Sequence, residues 1–375
     1  MGWHESNEKS MMYIGCYTTG MGEGIYCYDY SRKSGRCSEK RVVAKIENPS
    51  YLTFSKEGDL AVAVSELQNF QGRNGGAVAF YSRDQITGML LLNSLEGTLG
   101  KDPCHVFIDE DACFLFVSNY SEGTFNSFAL PGKKKETGII NQRLVLLDTI
   151  QHNGVGTNPV RQEKAHVHYT SISPDHNYLW VVDLGIDQVL LYPIKVDADS
   201  NNEKALLSRE PISFIKMEDG YGPRHLVFHP THPIVYIIQE LASRIVGVLL
   251  DEKGFPKEVL QDISILSEEK MSKENSSAAI KIDKKGTYIY ASNRGEDNIV
   301  VLRVLEDGRL KIIQWAPCDG KNPRDITLSP DNNFLFCANQ SSDCITGFAI
   351  QENGTLVRQV GLDLPIPSPT CIKFV

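Results

Sequence analysis

Short apolar runs separated by polar turns recur along the whole chain. A typical unit holds a β-rich run, a polar turn and a second β-rich run with a polar end, and a third and a weaker fourth run usually follow. Short runs bounded by Gly, Pro, Asn and Asp are typical of β-strands, and no stretch of helical period is long enough to compete with them. The first two runs are clearest at residues 48–66, 102–120, 165–184, 222–241, 276–294 and 322–340.

The spacing of these units predicts how many there are. The second run ends at Cys16, Glu66, Asn119, Asp183, Gln239, Asn293 and Asn339. These ends lie roughly 46–64 residues apart, close to the ~40–50 residues of one β-propeller blade. The second run that ends at Cys16 has no partner in front of it, and the missing run lies at the other end of the chain, in residues 368–374.

We therefore predict an all-β fold, a seven-bladed β-propeller of four-stranded antiparallel blades whose last blade is closed by both termini. Closure of this kind also removes exposed sheet edges. Residues 1–11 are predicted to be an N-terminal extension, and residues 12–375 a single propeller domain.

Two positions in every repeat are predicted to meet at one rim of the propeller. The first strand of a blade lines the central channel and the second is antiparallel to it, so the start of strand one and the end of strand two share one end. We call these positions the strand-one slot and the strand-two slot. The strand-one slot holds Ser50, Cys104, His168, Arg224, Ala278, Arg324 and Thr370, and the strand-two slot holds Tyr17, Leu67, Tyr120, Leu184, Glu240, Arg294 and Gln340.

Charged side chains cluster in the slots of consecutive repeats, where a purely structural role would favour small or apolar residues. One carboxylate beside several cations is more basic than a self-neutralising network requires, which indicates an anionic ligand. The alternative is a set of rim charges that satisfy one another, because buried charges need partners. The clustered residues are His168, Arg224, Glu240, Arg294 and Arg324.

Further residues extend this candidate site. Arg161 follows a loop that contains Gly and Asn, of the kind that often overhangs binding sites, and is a candidate anion contact. His166 and His168 are two apart on a strand and share a face, so a metal pair is an alternative, but no cluster with zinc spacing accompanies them. We predict that His105, Arg161, His166 and Arg324 bind substrate, and we predict neither a metal nor a cofactor.

Composition and charge argue against some classes of function. The chain has 375 residues and a formal net charge of -9, which argues against a general nucleic-acid binder. No apolar run approaches the ~18 residues that a membrane span needs. Nine cysteines without a CxxC pair predict reduced thiols and a cytoplasmic location. The expected partner is a small anionic molecule, with no nucleic acid and no membrane, and the expected state is a monomer or weak homo-oligomer.

Several unlike motifs, in order along nearly the whole chain, resemble a known family. They are PVRQEKAHVH (159–168), GPRHLVFHP (222–230), YIIQELAS (236–243), YIYASNRGEDNI (288–299) and NPRDITLSPDNNFLFCANQ (322–340). These look like the seven-bladed lactonase family, which includes the propeller-type 6-phosphogluconolactonases and is related to the fungal carboxy-cis,cis-muconate cyclase. The resemblance implies hydrolysis of 6-phospho-glucono-1,5-lactone to 6-phosphogluconate, in the pentose phosphate pathway, or chemistry on a related lactone.

The resemblance also implies site residues. The chain departs from the family pattern at Ala279, where members often carry an acidic residue, and at Lys281, where they carry a His. The residues implicated in the cyclase branch match His168, Arg224, Glu240 and Arg294.

A mechanism follows as a hypothesis. Arg224 and Arg294 stabilise the developing oxyanion, and Glu240 or His168 deprotonates the attacking water. An unperturbed imidazole titrates near ~6.5 and suits proton transfer at cellular pH, so His168 is the favoured base. Glu240, kept ionised by an arginine neighbour, would orient the histidine or the water. Two other functions stay open, a lactonising cyclase and a non-catalytic propeller scaffold that binds proteins.

Overall fold

The computed structural model describes residues 9–109, 113–131, 143–196, 205–267 and 274–375. Apart from two short 3-10 turns, Gln340–Ser342 and Val360–Leu362, the regular structure of these residues is β-strand. No helix in this part of the chain has the length and apolar character to cross a membrane.

The first eighteen strands are β1 (Lys9–Cys16), β2 (Ile25–Ser31), β3 (Arg41–Ala44), β4 (Leu52–Phe54), β5 (Leu60–Ser65), β6 (Asn69–Phe70), β7 (Arg73–Asn74), β8 (Ala77–Arg83), β9 (Leu90–Gly97), β10 (Pro103–Ile108), β11 (Phe114–Asn119), β12 (Thr124–Ala129), β13 (Val145–Gln151), β14 (Val167–Ile172), β15 (Tyr178–Asp183), β16 (Gln188–Val196), β17 (Ala205–Leu207) and β18 (Ser213–Lys216). The others are β19 (Pro223–Phe228), β20 (Ile234–Gln239), β21 (Arg244–Leu250), β22 (Pro256–Ser264), β23 (Ser276–Ile282), β24 (Tyr288–Arg294), β25 (Asn298–Val304), β26 (Leu310–Pro317), β27 (Pro323–Leu328), β28 (Phe334–Asn339), β29 (Cys344–Ile350), β30 (Leu356–Arg358), β31 (Leu364–Pro365) and β32 (Pro369–Phe374).

These strands form seven antiparallel sheets, with a separate hairpin of β6 and β7. In chain order they are sheet 1 (β4-β5-β8-β9), sheet 2 (β10 to β13), sheet 3 (β14 to β18), sheet 4 (β19 to β22), sheet 5 (β23 to β26), sheet 6 (β27 to β31) and sheet 7 (β32-β1-β2-β3). In sheets 3 and 6 the outermost position is shared by two short strands. The predicted all-β architecture of seven four-stranded units is confirmed.

Sheet 7 joins the two ends of the chain. Strand β32 lies antiparallel to β1, with Met12 opposite Phe374 and Ile14 opposite Ile372. Met11 and Val375 extend this pairing by exchanging two backbone hydrogen bonds of 2.9 Å. The predicted closure by both termini is confirmed. Strand β1 begins at Lys9, however, so Lys9 to Met11 belong to the ladder and not to the predicted extension, and residues 1–8 lie outside the described residues.

The chain packs as two compact units, which are described separately below. Unit A comprises residues 46–224 and 254–256 and contains sheets 1 to 3. Unit B comprises the described residues of 9–45, 225–253 and 257–375 and contains sheets 5 to 7 with most of sheet 4. The single domain over residues 12–375 stays a prediction.

The core of each unit lies between the faces of neighbouring sheets. In unit A, Phe114 and Phe116 of sheet 2 pack with Val181 of sheet 3. In unit B, Tyr30 of sheet 7 meets Phe336 of sheet 6 edge to face, with ring centroids 5.8 Å apart. Because side chains alternate between the two faces of a strand, each run supplies apolar residues to the gaps on both of its sides.

We expect removal of β32 to destabilise the fold severely. Deleting residues 367–375 would expose the backbone hydrogen-bonding groups of β1 along a sheet edge and would remove Ile372 and Phe374 from the core. The expected result is aggregation, or a large fall in the melting temperature against the full chain, measured by circular dichroism. A soluble truncation with unchanged melting and activity would contradict the role given to sheet 7.

Candidate active site

The strand-one slot coincides with a break in the strand ladder. In sheet 2, for example, Pro103 pairs with Asn119 and His105 pairs with Ser118, so Cys104 between them has no partner across the ladder. Such β-bulges change the direction of a side chain and are frequent beside active sites. Among the described strands, the slot residues placed in this way are Cys104, His168, Ala278, Arg324 and Thr370.

The two slots of a sheet also meet at one end, as predicted. In four sheets the backbone N–H of the strand-two slot residue donates to the carbonyl of the residue two positions before the strand-one slot. These bonds join Tyr17 to Ser368 at 3.1 Å, Tyr120 to Asp102 at 3.0 Å, Leu184 to His166 at 2.9 Å and Gln340 to Asn322 at 3.1 Å. The positions of the slot residues are therefore set by backbone geometry.

In unit A, three predicted site residues surround the ring of Tyr120. His166 stacks on this ring with centroids 4.5 Å apart, and His168 meets it edge on at 5.4 Å. Arg161 donates from Nη2 to the Tyr120 hydroxyl at 3.1 Å. Tyr120 is itself a strand-two slot residue, so one slot side chain brings the two histidines and the arginine together.

Both ring nitrogens of His166 are engaged by oxygen atoms. Its Nδ1 lies 3.0 Å from the Tyr120 carbonyl oxygen and its Nε2 lies 3.2 Å from a carboxylate oxygen of Glu163. These two contacts fix the orientation of the ring. Burial alone would raise the pKa of Glu163, but the hydrogen bond with His166 contributes to a net pKa below its usual value. Neither ring nitrogen is oriented to bind a metal.

His105 occupies a different environment. Its ring lies between Tyr51 and Tyr169, with centroid distances of 4.4 and 4.2 Å, and its Nδ1 accepts the backbone N–H of Thr170 at 3.4 Å. These contacts explain the position of the His105 ring by packing within the core of unit A. Its predicted part in substrate binding stays a prediction.

A buried carboxylate that the sequence did not reveal anchors two site segments of unit A. Asp187 accepts the side-chain amide of Gln162 at 2.7 Å, next to Arg161. The same carboxylate accepts the backbone N–H of Gly222 at 2.7 Å, two residues before the slot residue Arg224. It therefore fixes the loop that carries Arg161 and the turn that precedes Arg224, which is itself buried.

A second network missed by the sequence lies beneath His166. Asp183 is fully buried and accepts His152 Nδ1–H at 2.7 Å, the backbone N–H of His166 at 2.8 Å and that of Gly185 at 2.9 Å. The Tyr192 hydroxyl donates to His152 Nε2 at 3.0 Å. Burial raises the pKa of Tyr192 well above its usual value, so the phenol stays protonated and keeps donating. The segment that leads from His166 into β14 is thus fixed by a buried polar anchor.

In unit B, Glu240 and Arg294 form a nearly buried ion pair. Arg294 donates from Nη2 to Glu240 Oε2 at 3.0 Å and to the carbonyl oxygen of Ser277 at 2.8 Å. These two acceptors fix the plane of the guanidinium, because an arginine fork recognises oxygens with defined geometry. The pairing agrees with the prediction that the two residues are neighbours on adjacent blades.

Arg324 and Lys281 have partners within unit B. Arg324 donates to the Tyr17 hydroxyl at 2.9 Å and to the Gln340 amide oxygen at 3.4 Å, so it bridges three slot residues. Lys281, one of the departures from the family pattern, lies 3.7 Å from the buried carboxylate of Asp325. That carboxylate also accepts the backbone N–H of Ile372 at 2.9 Å.

Comparison with known protein families identifies the family of this chain. Residues 11–374 match the family described as Lactonase, 7-bladed beta-propeller. The chain belongs to this lactonase family. It is therefore a seven-bladed propeller and a lactonase, which acts on a small lactone substrate.

Individual relatives of this lactonase cover almost its whole length. The 6-phosphogluconolactonase of Bacillus subtilis (strain 168) is 28% identical over 98% of this chain and 99% of the relative. A 6-phosphogluconolactonase of Formosa agariphila is 32% identical over 90% of this chain and 91% of the relative. The solved structure of Pseudomonas aeruginosa periplasmic gluconolactonase, PpgL, superimposes with a TM-score of 0.86 at 27% identity, covering 98% of this chain and 99% of that one.

The assignment of individual site residues stays a prediction. The structure brings His166, His168 and Arg161 together around Tyr120 in unit A, and Glu240 and Arg294 together in unit B. Which of these groups touches the lactone is a matter for substitution experiments.

Loss of the Asp187 carboxylate should weaken both the fold and the site. In Asp187→Ala the N–H groups of Gly220 and Gly222 and the Gln162 amide lose a buried acceptor. We expect the free energy of unfolding to fall by on the order of 3 kcal/mol, since each buried unsatisfied donor costs ~1–3 kcal/mol. The measurement is chemical denaturation, together with KM for the lactone, which should rise because Gln162 positions the loop of Arg161.

Two further variants calibrate this result. Asp187→Asn keeps one acceptor oxygen and tolerates the left-handed backbone of this position (φ 54), so it should lose less stability than Asp187→Ala. Asp219→Ala removes an exposed carboxylate of the same segment, which pairs with Lys216, and should change stability by less than ~0.5 kcal/mol. Unchanged melting of Asp187→Ala would contradict the anchoring role.

Proposed function

We propose that this lactonase hydrolyses 6-phospho-glucono-1,5-lactone to 6-phosphogluconate. The observation that carries the proposal is the position of Arg161 at Tyr120. Arg161 donates to the hydroxyl of Tyr120, and the His166 ring stacks on the same tyrosine. A guanidinium presents several N–H groups in a planar fork that matches the oxygens of a phosphate. The names of the Bacillus and Formosa relatives support the same substrate.

The proposed roles divide between charge stabilisation and proton transfer. Arg294 is held in one orientation by Glu240 and by the Ser277 carbonyl, and a fixed cation of this kind stabilises a developing oxyanion without reorganising during the reaction. Because the Glu240 carboxylate is engaged by Arg294, it is suited to orientation and poorly suited to accept a proton. His168 is accordingly the proposed base, and Arg224 is the second proposed oxyanion donor.

The reaction then needs only groups that the chain supplies. His168 takes a proton from the nucleophile as it bonds to the lactone carbonyl carbon, and the water consumed in hydrolysis supplies the oxygen of the new carboxyl group. The carbonyl oxygen becomes negative and is stabilised by a guanidinium beside it. When the ring C–O bond breaks, the proton passes to the leaving ring oxygen, which becomes a hydroxyl. General acid–base catalysis of this type contributes ~10²–10⁴ in rate.

Turnover of two lactones tests the substrate. We expect kcat/KM to be larger for 6-phospho-glucono-1,5-lactone than for glucono-1,5-lactone, both corrected for spontaneous hydrolysis. Arg161→Ala should raise KM for the phosphorylated lactone by ~10-fold or more, because a hydrogen bond to a charged group contributes ~1.5–3 kcal/mol. The unphosphorylated lactone should be little affected.

A surface arginine provides the matched control for this test. Arg143 lies in the same unit, forms an exposed ion pair with Glu96, and should tolerate replacement by Ala with no change in either KM. Equal turnover of both lactones by the unaltered protein would contradict the proposed substrate. An equal loss for both lactones in Arg161→Ala would show that Arg161 does not bind the phosphate.

The pH dependence of kcat/KM should identify the base. If His168 takes the proton, Glu240→Gln keeps measurable activity and its profile retains an ascending limb near ~6–7. His168→Asn should lose most activity and flatten that limb. Survival of the limb in His168→Asn together with its loss in Glu240→Gln would reverse the two roles. If neither change lowers turnover by ~10-fold, these residues are not the acid–base machinery.

A further inference from the structure

A cysteine thiol lies beside the proposed base. Cys104 and His168 occupy the strand-one slots of the neighbouring sheets 2 and 3, and both sit on β-bulges. The Cys104 Sγ is 3.8 Å from His168 Nδ1. Both side chains are largely buried but keep some surface, with 8% of Cys104 and 5% of His168 exposed. A thiol within reach of an imidazole nitrogen is the arrangement that activates a cysteine nucleophile.

The surroundings of the sulfur show where its proton can go. Besides His168 Nδ1, the Cys104 sulfur approaches the carbonyl oxygens of Val167 at 3.9 Å and of His168 at 3.6 Å. All three groups accept hydrogen bonds when the neutral imidazole carries its proton on Nε2, and in that tautomer the sulfur donates as a thiol. Of the three, only the imidazole nitrogen can take the proton away. The basic nitrogen of His168 thus faces a sulfur.

Other cysteines of the chain lie in environments that suppress reactivity. Burial raises the pKa of Cys16 to about 11 and that of Cys37 to about 12. Burial likewise raises the pKa of Cys27 and Cys344. A buried thiol that stays protonated is a poor nucleophile, since the thiolate is the reactive form. Cys104 differs in having a proton acceptor positioned to generate the thiolate at the moment of attack.

We propose that Cys104 is the nucleophile of the lactonase reaction, and that it forms a transient thioester with the opened lactone. The proposal concerns how the lactone is opened and not which lactone is used. It rests on the proposed function in one respect, the assignment of His168 as the base.

The bonds and protons balance in two half-reactions. In the first, His168 Nδ1 takes the thiol proton, a C–S bond forms at the lactone carbonyl, and the ring C–O bond breaks. The proton returns from the imidazolium to the ring oxygen, which leaves as a hydroxyl, and the product is a thioester. In the second, His168 takes a proton from water, whose oxygen attacks the thioester. The C–S bond breaks, the sulfur regains a proton, and the free acid is released.

Substitution at Cys104 is the first test. Cys104→Ala should lower kcat for lactone hydrolysis by ~10²–10⁴, the contribution of base-assisted attack, with an unchanged melting temperature. Cys104→Ser should be impaired but retain more activity than Cys104→Ala, because a hydroxyl can still be deprotonated and acylated. Cys113→Ala, at the residue before β11, is the matched control and should keep full activity. Wild-type kcat in Cys104→Ala would overturn the proposal.

Direct trapping is the second test. Wild-type protein mixed with lactone and quenched in acid within one turnover should gain the mass of one lactone, and peptide mapping should place it on Cys104. Hydroxylamine should release this adduct as a hydroxamate, whereas lactone attached to amines as an amide should remain. Cys104→Ala should show no hydroxylamine-labile adduct. The absence of such an adduct from the wild-type protein during turnover would overturn the proposal.

A third measurement does not depend on turnover and separates this proposal from the proposed substrate. Iodoacetamide should alkylate Cys104 faster than Cys113 in the wild-type protein, and His168→Asn should slow only the reaction at Cys104. This result would support the thiol–imidazole pair even if the phosphorylated lactone were not a substrate. Equal alkylation rates at Cys104 in the wild type and in His168→Asn would overturn the pair while leaving the lactone assays unaffected.

Discussion

The antiparallel pairing of β32 with β1 is the constraint on which the fold depends. Every other sheet is built from strands that follow one another along the chain, whereas sheet 7 takes one strand from the C-terminus. This sheet cannot form until the whole chain is present. The same pairing positions Thr370, the last strand-one slot residue, beside β1. There the Thr370 hydroxyl donates to the Gly15 carbonyl oxygen.

The slots show how a repetitive scaffold presents unlike chemistry. The ladder and the backbone bonds at the rim are nearly the same from sheet to sheet, while the slot residues range from alanine to arginine. A few contacts that do not repeat then give individual sheets their own chemistry. Examples are the Glu240–Arg294 ion pair, the contact of His166 with Glu163 and the thiol of Cys104 beside His168.

The sheets, the closure and the slots could be predicted from the sequence, because the repeats can be aligned with one another and equivalent positions compared. The boundary at Met12 was wrong by three residues, since Lys9 to Met11 continue the ladder without a clear apolar pattern. Asp187 and the Cys104–His168 contact could not be predicted. They join residues 25 or more positions apart through side chains, and a comparison of aligned repeats says which positions correspond and not which side chains touch.

The β-bulges carry an evolutionary consequence. A slot residue outside the register of the ladder can be exchanged without disturbing the hydrogen bonds that hold the sheet, so its identity is nearly free of the demands of folding. Mutations at these positions can change binding or catalysis with little loss of folding stability. The propeller therefore separates the positions that selection must preserve for folding from those it can vary for specificity, which suits a family whose members act on different lactones.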